Sequence, residues 1–209
     1  MYLMLPAGDE PEIVRSAVEP GASILELGSG AGRVTRELVD MGYRVTAVDE
    51  SAAMLAHVGG AETVLARIED LDLGRTFDAV LLTSHLVNTD DRGQCASVLA
   101  ACRRHVDDDG RVLIQRHDPD PSAWTPGRSR TATLGRVLVT GTILRREGTT
   151  VEGVVRYALD DGRAWTQHHR SEILDDEPFE AVLREAGLTL VRWLDPARTW
   201  ALAEPRAQR

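Results

Sequence analysis

The sequence predicts an α/β protein built on a mostly parallel sheet, and three observations lead to that fold class. Residues 23–116 alternate short apolar strands with helical patterns, which is the signature of a right-handed parallel sheet. The first strand runs into Gly28-Ser29-Gly30-Ala31-Gly32, where glycines allow a tight turn at the positive end of the next helix. Residues 177–203 then supply a helix and a closing hairpin.

The amino-terminal half divides into predicted elements at capping and breaking residues. Pro11 lies in the first turn of a leading helix over 9–18, which Pro20-Gly21 ends. Ser51 caps a short helix, and Asp90 or Asp91 caps a longer one. The predicted strands are 24–27, 43–49, 62–66, 77–82 and 110–115. The helices between them are 33–39, 52–58 and one that follows the Asp90 or Asp91 cap and runs to about residue 105, and 107–110 form the turn into strand five.

The carboxyl-terminal half begins with a change of periodicity. Residues 117–130 are loop-like, and residues 136–146, 151–159 and 163–173 then read as antiparallel strands with an Asp161-Gly162 hairpin turn. A helix over 177–186 ends at Gly187, and strands 188–193 and 199–203 bring the main sheet to seven. We therefore expect one domain over 1–209, with 117–173 as a loop and a small antiparallel β insertion after strand five.

Composition excludes several function classes. The 209 residues are 43% hydrophobic and carry a net charge of -9, which disfavours nucleic acid and acidic membranes as partners. No lysine occurs, so Schiff-base and P-loop chemistry are excluded. Without an 18-residue apolar run, and without a signal peptide in residues 1–6, we expect a cytoplasmic protein. Cys95 and Cys102, roughly 10 Å apart along one helix, are expected to pack in the core.

The glycine turn distinguishes two kinds of nucleotide site. A dinucleotide fingerprint needs a third glycine where Arg33 stands, which argues against a nicotinamide-dependent oxidoreductase. Glu26 ends strand one, where a carboxylate suits an ammonium or sulfonium, and Asp49 ends strand two, about twenty residues past the glycines. The pattern resembles motif I of the class I S-adenosylmethionine-dependent methyltransferases of small-molecule type, whose sheet is Rossmann-like. The resemblance covers 9–116 and, by pattern, 175–204.

The resemblance implies S-adenosylmethionine as methyl donor, S-adenosylhomocysteine as product, and no metal. It places Glu26 near the methionine ammonium, Asp49 on the ribose hydroxyls, and Arg33 either at the methionine carboxylate or exposed on its helix. At the adenine end Arg67 replaces an expected acid, so Glu69 or Asp70 substitutes for it, or Ile68 covers the ring. The implied donor contacts are Glu26, Gly28, Ser29, Gly30, Arg33, Asp49, Glu50, Met54, Ile68, Glu69 and Thr83.

Polar residues after strands four and five are the catalytic candidates. His85 and Asn88 occupy the loop that borders the transferring methyl in this family, and His117 follows strand five. An imidazole there is able to take a proton near neutral pH, and Asn88 is expected to orient the acceptor. In the insertion, Tyr157, His168 and His169 are substrate-binding candidates, although the two histidines point to opposite faces of a strand. Arginines that would suit a carboxylate acceptor are Arg116, Arg128, Arg130 and Arg170.

The resulting hypothesis is methyl transfer from S-adenosylmethionine to a small-molecule acceptor in small-metabolite or secondary metabolism. Nitrogen is favoured over oxygen or carbon because a neutral amine attacks unaided, whereas a hydroxyl or carbon acid needs a base. The alternative is a protein of the same fold that binds S-adenosylmethionine without methylating, as a cyclase or binding module.

Overall fold

The computed structural model describes residues 2–206 and contains eleven strands within that range. The strands are β1 (Ser23–Leu27), β2 (Arg44–Asp49), β3 (Glu62–Leu65), β4 (Phe77–Leu82), β5 (Val106–Gln115), β6 (Ser129–Leu134), β7 (Val137–Glu147), β8 (Thr150–Ala158), β9 (Ala164–Glu172), β10 (Leu188–Trp193) and β11 (Trp200–Pro205). They form one sheet of seven strands, β10-β11-β5-β4-β1-β2-β3, and one of four, β6-β7-β8-β9. The predicted fold class is confirmed.

Five α-helices connect the strands of the described chain: α1 (Glu10–Ala17), α2 (Arg33–Asp40), α3 (Ala52–Leu55), α4 (Arg92–His105) and α5 (Asp176–Glu185). The Ser51 hydroxyl accepts a bond from the Met54 amide, and the Asp91 carboxylate accepts bonds from Gly93 and Gln94, as the capping argument predicted. Gly187 follows α5 with φ +77°, a left-handed conformation that favours glycine. One boundary was wrong, since α3 ends at Leu55 rather than at residue 58.

The topology places a crevice at the carboxyl ends of the central strands. β1 pairs in parallel with both β2 and β4, so the chain leaves β1 on one side and later returns on the other. Ligands of open α/β sheets bind at such a switch point. Fully buried apolar side chains pack on both faces of the sheet, exemplified by Leu25 and Val80 on one face and by Ile24 and Leu38 on the other. The crevice therefore has a rigid floor.

The insertion after β5 is a meander of four antiparallel strands. The Asp161-Gly162 turn joins β8 to β9, as predicted, with Gly162 at φ +88°. Two expectations were wrong. Residues 129 and 130, which were expected in the loop, begin strand β6, and β6 was not predicted as a separate strand. Residues 107–110, which were expected as a turn before strand five, form an irregularity within β5.

Two remaining sequence-based expectations concern the amino terminus and the cysteines. Cys95 and Cys102 are free and buried, as expected. Among residues 2–206, no helix is both long and apolar enough to cross a membrane. Met1, the first residue considered for a signal peptide, lies outside the described residues.

Candidate active site

The glycine turn after β1 is fixed to the end of β2. The amides of Gly28 and Ser29 both donate to the carbonyl oxygen of Val48 at 2.9 Å, and the Gly30 amide donates to Asp49 Oδ2 at 2.8 Å. Gly28 has φ +73°, and a Cβ added there would lie 2.7 Å from Leu86 Cδ1. The positive φ favours glycine, and any side chain here would also have to displace the Leu86 side chain, because the loop after β4 packs directly on the turn.

A cavity of about 640 Å³ opens beside this turn, at the carboxyl ends of β1 to β4. We call it the donor cavity. Asp49 lies in its wall with each oxygen accepting one backbone bond, Oδ2 from Gly30 and Oδ1 from Ser51 at 2.9 Å. Each oxygen retains acceptor capacity for a hydroxyl pair. The residues lining the donor cavity include Gly28, Asp49, Glu50, Arg67, Ile68, Glu69, His85, Leu86, Asn88, Thr89, Gln94, Arg170 and Ser171.

Two buried polar groups behind the turn test whether a cationic adenosyl compound fits. Glu26 is 1% exposed and accepts a 2.5 Å bond from the Thr35 hydroxyl, and burial raises the pKa of its carboxyl to about 7. The Ser29 hydroxyl is buried and finds no hydrogen-bond partner within residues 2–206. Ionising the buried Glu26 carboxyl is costly, and a bound ammonium group would lower that cost. A polar group of the same ligand would supply the hydrogen bond that the Ser29 hydroxyl lacks. The residues present therefore fit the implied donor.

Arg33 has a different partner from the one proposed for it. Its guanidinium forms an ion pair with Glu10 Oε1 at 2.5 Å, and the Gly8 amide donates to Glu10 Oε2 at 2.6 Å. Burial of Glu10 opposes ionisation, but the Arg33 charge more than offsets it and holds the pKa of Glu10 below its usual value. Arg33 lies in the wall of a second cavity, described below, so a contact with the donor carboxylate stays a prediction.

The remaining predicted donor contacts divide into two groups. Five of them line the donor cavity: Gly28, Asp49, Glu50, Ile68 and Glu69. Five others are not part of its lining: Glu26, Ser29, Gly30, Met54 and Thr83. Thr83 directly follows β4 and is only 2% exposed. Glu69 accepts a 3.0 Å bond from the Gln94 amide of α4, whereas Asp70 is outside the lining. Of the two acids considered for the adenine end, Glu69 is the one placed there.

The loop after β4 has an unusual backbone. Ser84 and His85 are consecutive non-glycine residues with φ +59° and +58°. Left-handed conformations in such residues are strained and cluster at functional sites. The Ser84 amide donates to Gln115 Oε1 at 2.8 Å, which helps to hold the loop against β5. The loop thereby presents His85 to both cavities of the site.

His85 and His117 form a stacked pair at the centre of the site. Their ring centroids are 4.2 Å apart, and the edge of Trp124 lies against His117 at 4.8 Å. His117 Nε2 is 3.3 Å from the Ser171 hydroxyl, while the buried Nδ1 of His85 has no hydrogen-bond partner among the described residues. Burial lowers the pKa of His85 to about 4 and that of His117 further. Both imidazoles are therefore neutral near pH 7.

Asn88 connects three segments. Its Oδ1 accepts a 2.8 Å bond from the His117 amide, and its Nδ2 donates to the Glu172 carbonyl at 2.7 Å. The side chain is 1% exposed and lines the donor cavity but not the second cavity. These bonds give Asn88 a positioning task that the sequence did not predict. Direct contact with an acceptor stays a prediction.

A second cavity, of about 520 Å³, lies between the seven-stranded sheet and the insertion sheet. We call it the acceptor cavity. Of the predicted substrate-binding residues, Tyr157 and His169 line it, whereas His168 is exposed and does not. Its lining also includes Leu5, Pro6, Glu10, Arg33, Ser84, His85, Gln115, His117, Leu134, Val139, Val155, Gln167 and Ser171. His85 and Ser171 belong to both linings, so the two cavities meet there.

The arginines proposed for a carboxylate acceptor lie elsewhere. Arg116 is completely buried, donates to the carbonyls of Leu174 and Arg198, pairs with Asp176 at 2.5 Å and lies over the Trp193 ring. That role is structural. Arg170 pairs with Asp90 at 2.9 Å on the donor side. Arg128 and Arg130 are exposed and are not among the residues that line the acceptor cavity.

Comparisons with known proteins agree with this architecture. Residues 25–114 match the family model described as a methyltransferase domain. The chain is 28% identical over 196 residues to dTDP-3-amino-3,6-dideoxy-alpha-D-glucopyranose N,N-dimethyltransferase of Streptomyces fradiae, covering 88% of this chain and 76% of that one. It is 26% identical over 132 residues to a ubiquinone biosynthesis O-methyltransferase of Xanthomonas oryzae, covering 58% of this chain and 54% of the relative.

Solved structures are similar over almost the whole chain. The sugar N-methyltransferase KedS8 from Streptoalloteichus superposes with a TM-score of 0.74 at 26% identity, covering 96% of this chain and 88% of that one. CalS10 from Micromonospora echinaspora, an amino pentose methyltransferase solved with S-adenosylmethionine bound, superposes with a TM-score of 0.73 at 21% identity, covering 95% and 89%.

The strand order, the glycine turn at the switch point and the matched domain define a methyltransferase. Residues 25–114 carry this methyltransferase domain, and its cofactor is S-adenosylmethionine. When bound, that cofactor supplies a methyl group on a positively charged sulfur.

Proposed function

We propose that this protein methylates a nitrogen atom of a small-molecule acceptor, and that the acceptor is an amino sugar. One observation carries the proposal. The donor and acceptor cavities meet at His85 and Ser171, beside a pair of neutral imidazoles. The Streptomyces fradiae relative is an amino-sugar N,N-dimethyltransferase and KedS8 is a sugar N-methyltransferase, which supports nitrogen and an amino sugar.

The charge balance of the acceptor cavity supports an amine over a carboxylate. Among the described residues that line it, the acid and the arginine are Glu10 and Arg33, which neutralise each other in a 2.5 Å ion pair. His85, His117 and His169 all have lowered pKa values because burial disfavours their charged forms. A buried carboxylate would find no unpaired cation on this wall, and burying an unpaired charge is costly. A neutral amine carries no such cost.

The histidines are placed to orient such an amine. Methyl transfer is an in-line displacement, so the main requirements are alignment and exclusion of water. A neutral imidazole accepts a hydrogen bond from an amine N–H and leaves the nitrogen lone pair free to attack. The buried Nδ1 of His85 has no partner in the described part of the chain, and a small rotation of the ring, which lines the acceptor cavity, would bring Nδ1 to that bond. We assign this orienting task to His85, with His117 stacked behind it.

The insertion gives the acceptor cavity its outer wall. Val155, Tyr157, Gln167 and His169 project from β8 and β9 toward the cavity. Odd-numbered residues of both strands share this face because side chains alternate along a strand. Residues 117–173 therefore act, in this proposal, as the element that covers the substrate. The apolar part of the wall excludes water from the reaction.

The test is a direct assay of the purified chain with S-adenosylmethionine and dTDP-3-amino-3,6-dideoxyglucose. We expect S-adenosylhomocysteine together with a sugar nucleotide carrying one or two added methyl groups on nitrogen, identified by mass spectrometry. The matched control acceptor carries a hydroxyl in place of the amine and should not react. Methylation of the hydroxyl compound alone would overturn nitrogen as the acceptor atom. Binding of S-adenosylmethionine without turnover on any amine would favour the non-methylating alternative.

A further inference from the structure

Glycine 153, in the middle of β8, lies opposite a histidine of the acceptor cavity. We propose that Gly153 is a positioning residue: by lacking a side chain it keeps the His169 imidazole against the insertion sheet and so sets the free width of the acceptor cavity. The inference rests on the proposed function for its link to the acceptor, but the placement of the ring is independent of it. Nothing in the sequence pattern alone singles out this glycine.

The contact between the two residues is close. Gly153 and His169 are cross-strand partners in the β8–β9 ladder. A Cβ built on Gly153 would lie 2.5 Å from His169 Nε2 and 2.7 Å from His169 Cε1. Real Cβ atoms do not approach other heavy atoms so closely, because the repulsion between the atoms is too strong. The far end of the imidazole therefore occupies the space that any side chain at residue 153 would need.

The backbone gives no other reason for glycine here. The positive-φ glycines of the described chain do not include Gly153, so its conformation is open to any residue. Glycine within a strand is otherwise unfavourable, because it contributes no side-chain packing and loses more conformational freedom on folding. The third close atom is the Thr142 carbonyl oxygen at 3.1 Å, a backbone neighbour that would have to give by a few tenths of an ångström, whereas the two His169 atoms lie far closer. Space for the His169 ring remains as the explanation.

The lining of the acceptor cavity indicates the direction in which a displaced His169 ring would move. His169 and Val155 both line the acceptor cavity from the insertion sheet, so the open space beside the His169 ring is the cavity itself. An alanine at 153 would push the imidazole away from β8 and toward the bound acceptor. The cavity would become narrower while the donor cavity, which His169 does not line, stays unchanged.

The experiment compares Gly153→Ala, His169→Ala and the double variant with wild type. We expect Gly153→Ala to raise the acceptor KM about tenfold, the size of effect that one methylene has in a fitted pocket. Donor affinity and kcat should change by less than about twofold, because the methyl-transfer geometry is untouched. In the double variant the alanine has no ring to displace, so the acceptor KM should return to that of His169→Ala.

Gly141→Ala is the matched control. Gly141 is also a strand glycine of the insertion sheet without positive φ, but an added Cβ there meets nothing within 4 Å. Its acceptor KM should equal that of wild type. Equal defects in Gly141→Ala and Gly153→Ala, or a defect in the double variant as large as the sum of the two single defects, would overturn the proposal.

The position of the His169 ring is tested by a separate measurement. A failure of this inference is then distinguishable from a failure of the proposed function. The Cε1–H resonance of His169, assigned by its loss in His169→Ala, should shift in Gly153→Ala and not in Gly141→Ala. An unchanged resonance overturns the inference whatever the assay gives. A shifted resonance in an enzyme that methylates no amine would support the positioning of the ring and reject the proposed acceptor class.

Discussion

At the scale of single residues, Glu26 has the most consequential environment. A carboxyl 1% exposed at the end of β1 has one hydrogen bond, from Thr35, and its pKa is raised to about 7 by burial. Below the ordinary pKa of 4.5 the group is protonated in both folded and unfolded chains and has no pH-dependent effect. Above that value the unfolded chain ionises first, so folding stability falls as pH rises until the folded group has also ionised. The free protein is thus destabilised by the residue that the resemblance places near the donor's ammonium group.

Glu26→Gln should separate stability from donor binding. The amide does not titrate, so the free energy of unfolding of the variant relative to wild type should rise by about 2 kcal/mol between pH 5 and pH 8, at 1.36 kcal/mol per pKa unit. Its affinity for S-adenosylmethionine should fall about tenfold or more, because a charge-assisted bond is lost. Urea denaturation at both pH values and calorimetry with the donor measure the two effects.

Glu37→Gln provides the control for this comparison. Glu37 is a glutamate on the exposed face of α2, in the same part of the chain. Both measurements on that variant should match wild type. If Glu26→Gln showed the same pH dependence of stability as wild type, the raised pKa of Glu26 would be refuted. If it bound the donor normally, Glu26 would have no part in the donor site.

At the scale of elements, the Asn88 side chain joins the loop after β4 both to the segment that follows β5 and to the end of β9. Asn88→Ala would leave the His117 amide and the Glu172 carbonyl without their bonds at 2.8 and 2.7 Å. Each buried polar group left unsatisfied costs about 1–3 kcal/mol, so we expect a loss of about 2–4 kcal/mol in the free energy of unfolding. Acceptor affinity should fall in parallel, because the position of His117 depends on this bond.

Chemical denaturation and acceptor titration of the same preparation test this expectation. Ser97→Ala removes an exposed hydroxyl bonded to the Gly93 carbonyl within α4 and should change stability by less than about 0.5 kcal/mol. If Asn88→Ala were destabilised but bound the acceptor with normal affinity, the two Asn88 hydrogen bonds would matter for folding alone. A variant as stable as wild type would contradict the importance of both hydrogen bonds.

Strands with a continuous buried run were predictable, and the wholly exposed β6 was not. β4 matches its predicted range because its apolar run is buried almost throughout, and α4 begins where Asp91 caps it. All six residues of β6 are exposed, so no hydrophobic alternation marks that strand. Its formation depends on pairing with β7, which is tertiary information. The same holds for residues 107–110, whose turn-like composition lies within a continuous strand.

The residues of the candidate site also divide into those that the sequence could predict and those that it could not. Asp49, His85 and His117 were predictable because they come directly after strands of a parallel sheet, whose carboxyl ends converge. Ser171 and Gly153 were not, since their places depend on the way the insertion folds back over the sheet. The same limitation applies to Arg116, which follows β5 as His117 does. Its side chain turns into the core toward Asp176 and Trp193.

At the scale of the whole molecule, the two sheets meet where the end of β9 lies beside the donor cavity. The donor cavity is formed almost entirely by the seven-stranded sheet and its loops, and the insertion contributes Arg170 and Ser171 of β9. Arg170 pairs with Asp90 in the loop before α4, and Ser171 contacts His117. We therefore expect donor binding to affect the insertion mainly at the end of β9, because β6 lies three strands away.

Hydrogen exchange with and without S-adenosylhomocysteine tests this division. We expect ligand to slow exchange in the turn 28–32, at 49–51, in the loop 84–89 and at 170–172, because ordering of a bound site raises the free energy of local opening. Peptides covering β6 should exchange at the same rate with or without ligand, which makes that strand the internal control. Glu26→Gln at the same ligand concentration should lose part of the protection everywhere. Uniform protection of all four strands of the insertion would mean that the insertion sheet closes as one body, and protection confined to residues 28–89 would mean that β9 takes no part in the donor site.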